Sequence, residues 1–132
     1  VEPRVGKELA ETSYRWQTLL DSGLSVSNGS DAPVEFPDVM AGIQCAVTRS
    51  PLKEPDNIYH SDEKFTVQEA IDSVTIKGAE ASFEEPQKGS IKTGLLADFV
   101  VLDENPFTAN VHQIKDISIS ATYLGGRKVY GK

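Results

Sequence analysis

Ile117-Ser118-Ile119-Ser120-Ala121-Thr122-Tyr123-Leu124 alternates apolar and polar residues, and Gly125-Gly126 separates it from Arg127-Lys128-Val129-Tyr130. Alternation with a period of two puts one row of side chains on each face of a strand, and a two-glycine connection supplies the positive φ angles of a tight turn. A hairpin is expected over 117–130. Upstream, the apolar run Phe99-Val100-Val101-Leu102 predicts another strand, with Gly89 and Gly94 before it and Asn105-Pro106 after it as breakers. The last third of the chain therefore reads as a small antiparallel sheet of residues 99 to 102, 117 to 124 and 127 to 130.

The preceding residues read as helical. Leu9, Trp16, Leu19 and Leu20 recur at helical spacing between Glu8 and Ser22, and Gly23 stands where a helix ends. One helix is expected there, followed by a short strand at Leu24-Ser25-Val26-Ser27 running into a turn at Asn28-Gly29. Pro37 precedes a stripe of Val39, Met40, Ile43, Ala46 and Val47, and Arg49 complements the dipole at the far end, predicting a second helix from Asp38 to Thr48. Residues 50 to 64, with Pro51 and Pro55 among charged side chains, read as an exposed loop. Thr66-Val67-Gln68-Glu69 has the spacing of a capping box, with Phe65 and Ala70 as its hydrophobic staple. A third helix starts there, presents Ala70, Ile71 and Val74 inward, and is ended or kinked by Gly78 before Ala79 to Phe83. The expected class is α+β, with three to four helices followed by the small antiparallel sheet.

The 132 residues carry 13 basic and 20 acidic side chains, a net charge of −7. That length suits one domain with its own core. A pI near 4.8 with no basic stripe excludes nucleic acid and anionic membranes as partners, since both require clustered Lys and Arg. The longest apolar run, Phe99 to Leu102, falls far short of the ~18–20 residues that cross a bilayer, and the first ten residues lack the order of a secretory signal. The chain starts at Val1 and its single Met is Met40, so a cut start is expected. One cysteine, Cys45, makes neither a disulfide framework nor a cysteine-based zinc cluster, and points to a reducing, cytoplasmic setting.

No nucleophile elbow, P-loop, dinucleotide fingerprint, H-E-x-x-H pair or EF-hand loop is present. His60 and His112 read as plain surface histidines, Cys45 as an inert thiol, and Lys77, Glu80, Glu84 and Glu85 as a solvated face. Asn28-Gly29-Ser30-Asp31-Ala32-Pro33-Val34-Glu35 differs, because it follows a strand pattern and precedes a helix. Local logic makes it a turn in which Asp31 hydrogen-bonds its own loop. The functional reading is that a carboxylate at the carboxyl end of a strand, in a strand–loop–helix unit, sits where barrel enzymes place catalytic groups.

Tyr14-Arg15-Trp16, Leu19-Leu20-Asp21-Ser22-Gly23 and Gly29-Ser30-Asp31-Ala32-Pro33-Val34-Glu35 resemble, in that order, the last barrel strand of the amidohydrolase superfamily. The branch they are most similar to includes N-substituted formamide deformylases. Thr66 to Ala70, Lys88-Gly89-Ser90-Ile91-Lys92-Thr93-Gly94, Ala97-Asp98-Phe99-Val100-Val101-Leu102-Asp103, Asn105-Pro106 and Gly125-Gly126-Arg127-Lys128-Val129-Tyr130 resemble the closing signature of the same superfamily. Lys77-Gly78-Ala79-Glu80 departs from the Asn-Ala-Ala usual in such proteins.

The resemblance implies a metal-dependent hydrolase built as a (β/α) barrel with a flanking β-sandwich, this chain being its carboxyl-terminal quarter or so. Residues 1-85 are then the mostly helical end of the barrel and 86-132 the β-rich part of the sandwich. It further implies that Asp31, closing the eighth barrel strand, binds the metal and serves as general base toward the attacking water. The His-x-His and the middle-strand histidines of the superfamily have no counterpart here. Since a catalytic zinc takes three protein ligands and a water, the parent protein is expected to use a divalent metal such as zinc, and the isolated chain to hold no cofactor and to be inactive. The expected function is thus the carboxyl-terminal portion of an enzyme that hydrolyses a non-peptide C–N bond, amide-like or cyclic, in a small-molecule substrate. The alternative is an independent regulatory or interaction module without catalysis, with Asp31 a relic. Strands suited to a larger sandwich leave open edges, so self-association through 97–102 or 117–124 is expected.

Overall fold

The computed structural model describes residues 1–131. Six short helices precede the sheet: α1 Glu2–Val5, α2 Lys7–Glu11, α3 Trp16–Asp21, α4 Val39–Thr48, α5 Val67–Val74 and α6 Ile76–Ala81. Three strands follow, β1 Phe99–Leu102, β2 Ile119–Leu124 and β3 Arg127–Gly131, with 3-10 turns at Ser61–Glu63 and Val111–Asp116. The class is α+β, as the sequence predicts.

The helix expected over 8–22 is two pieces, and the cause lies in two hydroxyls. Thr12 Oγ1 and Ser13 Oγ both donate to the carbonyl of Leu9, at 2.9 and 2.8 Å, which satisfies the last turn of α2 and lets the chain leave it. Tyr14 then takes a left-handed conformation at φ 58°. The third helix is likewise divided, but at Thr75 (φ −122°, ψ −95°) instead of Gly78, which lies inside α6. Thr75 Oγ1 donates to the Ile71 carbonyl at 2.8 Å, again closing the helix from its own end. Residues 24–27 belong to no strand.

The expected starts of α4 and α5 are realised by their caps. Asp38 accepts from the Ala41 N–H at 3.0 Å. Thr66 Oγ1 accepts from the Glu69 N–H at 3.2 Å, while Glu69 Oε2 accepts from the Thr66 N–H at 2.7 Å. Phe65 and Ala70, either side of that box, are both buried and enter the core with Met40, Ile43, Ile114 and Ile117. This core joins α4, α5 and the 111–116 turn. Buried Gln44 on α4 adds a polar tie, its Oε1 accepting from the Lys115 N–H at 3.0 Å.

The sheet runs β1-β2-β3, antiparallel throughout. Leu124 pairs with Arg127 across Gly125 (φ 57°) and Gly126 (φ 77°), the two positive φ values of a type I′ turn. Asp98 locks that turn, its Oδ1 accepting from the Gly125 N–H at 2.6 Å. Phe99 and Tyr123, paired across β1 and β2, stack with ring centroids 4.6 Å apart. Because β2 is the middle strand, residues 119–124 have no free edge, and the open edges belong to β1 and β3.

Candidate functional site

The turn that carries Asp31 is built from two backbone bonds. The Val34 N–H donates to the Asp31 carbonyl at 2.8 Å, and the Glu35 N–H to that of Ser30 at 3.2 Å. Asp31 sits at φ 51°, a left-handed value that Asp and Asn tolerate better than most residues. Its carboxylate is exposed and makes no hydrogen bond or ion pair among the described residues. Asp31 thus hydrogen-bonds its own loop through its backbone carbonyl and not through its carboxylate.

A cleft of about 1090 Å³ lies next to this turn, lined among others by Val26, Gly29, Ser30, Glu35, Phe36 and Cys45. Asp31 does not itself line the cleft, but the residue before it, Ser30, does. Cys45, half-buried on α4, has its thiol pushed up by burial and further by the charge of Glu35, which leaves it protonated and a poor nucleophile at neutral pH.

The two histidines are not brought to Asp31 as a ligand set. The His60 Nε2 lies 3.1 Å from the Ala10 carbonyl, and its ring packs edge-on against Tyr59 at 4.2 Å. His60 is thus a clasp on α2 and not the plain surface residue expected. His112 opens the 111–116 turn, exposed, its N–H held by Asn110 Oδ1 at 3.0 Å. Among the described residues no group of three or more His, Cys, Asp or Glu is placed to hold a metal ion. The residues present therefore do not fit a catalytic metal by themselves, because one carboxylate falls short of the three protein ligands such a centre takes.

Glu63 is the charged residue that sequence reading missed. It lies in the stretch expected to be an exposed loop, yet is only 2% exposed. Burial pushes its carboxyl up, but the Thr18 hydroxyl at 2.5 Å, the Thr18 N–H at 2.9 Å and Arg15 Nε at 3.3 Å outweigh that and bring it down to about 2. The carboxylate satisfies a free N–H in the first turn of α3, acting as a cap supplied from 45 residues away. Nothing in the local pattern of Ser61-Asp62-Glu63 signals this, since the partners are remote. Arg49 works beside it: it ends α4 at φ 57°, and its guanidinium donates to the carbonyls of Tyr14 at 3.1 Å and Tyr59 at 3.2 Å. These contacts tie residues 14–18 to 59–63, and Arg49 and Glu63 both line the cleft.

The profile of the amidohydrolase family matches residues 1–130. YtcJ of Bacillus subtilis (strain 168), named as an amidohydrolase, is 37% identical over 130 residues, covering 98% of this chain and 25% of its own length. Protein LONG AFTER FAR-RED 3 of Arabidopsis thaliana is 36% identical over 133 residues, 98% of this chain and 22% of its own. The N-substituted formamide deformylase of Arthrobacter pascens is 30% identical over 110 residues, 83% of this chain and 20% of its own. The chain thus spans a quarter or less of the length of these relatives. No solved structure gives a significant match. With nearly every residue inside the family profile, this chain belongs to the amidohydrolase family.

Proposed function

We propose that these residues are the carboxyl-terminal portion of a metal-dependent amidohydrolase that hydrolyses a non-peptide C–N bond, amide-like or cyclic, in a small molecule, and that the chain alone is inactive. In this reading residues 1-85 belong to a (β/α) barrel and 86-132 to its flanking β-sandwich. The observation that carries it is the family match over 130 residues that span only 25% of YtcJ. The name of the Arthrobacter relative, N-substituted formamide deformylase, supports the bond type.

Asp31 is the group of this chain assigned to the chemistry. An exposed carboxylate without a protein partner is free to take a proton from a water attacking the substrate carbon. Its place next to Ser30, which lines the cleft, on a turn closed by backbone bonds, leaves its lone pairs unspent. A ligand role toward zinc or another divalent metal rests on donors that lie outside residues 1–131, so only the proton-accepting role is assigned here. In the cytoplasm, where the lone Cys45 stays reduced, the substrate would be a small molecule.

The test is to read the coding sequence upstream of Val1 and assay the encoded protein with N-substituted formamides and cyclic amides. A His-x-His and further histidines upstream, with hydrolysis by the whole protein and none by residues 1–132, is the expected result. A start codon close to Val1, or turnover by residues 1–132 alone, overturns it.

A further inference from the structure

Asn28-Gly29 stands directly before Ser30 and Asp31, and it differs chemically from the chain's other asparagine pairs. Asn57 precedes Ile58, Asn105 precedes Pro106 and Asn110 precedes Val111, so a branched side chain crowds the following N–H or a proline ring removes it. Their side chains are also held. Asn57 Nδ2 donates to Glu54 Oε2 at 2.9 Å, and Asn105 Oδ1 and Asn110 Oδ1 accept from the N–H groups of Phe107 and His112, both at 3.0 Å. Asn28 has neither protection. Its side chain and the Gly29 N–H make no hydrogen bond among the described residues, and both residues are exposed. The place where a Cβ of residue 29 would stand is open to 4 Å.

An amide nitrogen that follows an asparagine is a nucleophile within reach of the side-chain carbonyl carbon, and the ring it closes has five members. Glycine reaches that ring most easily because it lacks a Cβ and rotates freely. Hydrogen bonds to either group would have to break before the attack, and here there are none to break.

We propose that Asn28-Gly29 is a self-modification site, where attack of the Gly29 nitrogen on Asn28 Cγ, followed by water, yields aspartate and isoaspartate and resets the turn that carries Asp31. The bond from the Gly29 nitrogen to Cγ forms, the Cγ–Nδ2 bond breaks, and the Gly29 proton leaves with Nδ2 as ammonia. Water then opens the cyclic imide at one of its two carbonyls, with no change of oxidation state. Opening at the main-chain carbonyl routes the backbone through Cβ and Cγ, which lengthens it by one methylene. The Asn28 N–H is anchored on the Ser73 carbonyl at 2.9 Å, and the turn beyond is closed by the bonds from Val34 to Asp31 and from Glu35 to Ser30. A longer backbone between anchor and turn displaces Ser30 and Asp31 together, and either product adds a carboxylate close to Asp31 in sequence. The effect on hydrolysis rests on the proton-accepting role assigned to Asp31; the modification does not.

The test incubates residues 1–132 in warm, mildly alkaline buffer beside a peptide of residues 24–34, in which no fold restrains the pair. Peptide mapping by mass spectrometry, with enzymatic detection of isoaspartate, should show conversion at Asn28 at a rate comparable to the peptide's, with Asn57, Asn105 and Asn110 intact. Gly29→Ala, whose Cβ enters open space, should slow the conversion severalfold with the circular dichroism unchanged. In the converted chain, hydrogen exchange should quicken at the amides of Val34 and Glu35. Asn28 still intact when the peptide has converted, or Gly29→Ala converting as fast as the original, overturns the modification site. Unchanged exchange at Val34 and Glu35 overturns its effect on the turn. In the whole protein, turnover should fall in step with conversion at residue 28, and turnover that holds through the same incubation overturns the link to catalysis. A whole protein without hydrolysis from the outset overturns the functional reading alone, because mass and exchange are read without it.

Discussion

Asp31→Asn separates the catalytic from the merely local reading of the turn at 29–35. The left-handed backbone at φ 51° suits Asn as well as Asp, and the side chain has no partner to lose, so the unfolding midpoint should move little. In the whole protein, hydrolysis should fall by ~10²–10⁴ or more, the usual loss when a general base is removed. Asp38→Asn is the control, because Asn caps a helix as well as Asp does; it should leave turnover unchanged. Near-normal turnover of Asp31→Asn returns Asp31 to a structural role. Glu63 makes the complementary case, a residue of no catalytic interest whose protonation governs the fold. Its carboxyl falls from the ordinary 4.5 to about 2, so the stability it contributes is complete above pH 4.5 and is lost as pH falls from there toward 2. Glu63→Gln should therefore lower stability at pH 7 by about 1.5–3 kcal/mol, the range for hydrogen bonds to a charged group, and flatten the acid limb of a urea-midpoint-versus-pH curve. A remaining slope is expected from Glu69, Glu80 and Glu84, which are also lowered. An unchanged acid limb in the variant overturns the assignment.

Among the elements, those specified by neighbours in sequence formed where the sequence placed them. The capping box at Thr66 needs only Thr66 and Glu69, the hairpin turn only Gly125 and Gly126, and the start of α4 only Asp38. Elements whose limits depend on competition did not. Thr12, Ser13 and Thr75 could each have stayed within a helix, and it was their hydroxyls bonding back to preceding carbonyls that ended it. The strand at 24–27 failed for another reason, since a strand exists only with a partner and none of the described residues supplies one. Thr66→Ala tests how much the box alone carries. It removes the oxygen facing the Glu69 N–H and the partner of Glu69 Oε2 at 2.7 Å, and should cost about 1 kcal/mol. Because Phe65 and Ala70 keep α5 on the core, the helix should persist in the circular dichroism spectrum while the thermal midpoint drops. A collapse of helical signal would mean that the cap, and not the staple, holds the element.

For the whole molecule, the candidate site was legible only in part, and the reason is spatial. Asp31 could be singled out from its place between a strand pattern and a helix. Glu63 and His60 could not, because their partners Thr18 and Ala10 lie far off in the chain. The same distinction governs what the molecule does with its surface. The core joins α4, α5 and the 111–116 turn, whereas the sheet has three strands and two free edges. Those edges differ. β3 carries Arg127 and Lys128, and charged edges resist pairing, while β1 is Phe99-Val100-Val101-Leu102 without a charge. Of the two segments expected to associate, 97–102 and 117–124, the second holds the middle strand, so association of the isolated chain should run through β1. Val100 is 49% exposed, so Val100→Lys places a charge on that edge at little cost to the fold. Sedimentation velocity over rising concentration should show larger species for the original chain and a shift toward monomer for Val100→Lys. Val129→Lys on the already charged β3 edge should change the distribution far less. Equal behaviour of the two variants, or a chain that stays monomeric throughout, would show that β1 is covered in solution and that the sheet is complete with three strands.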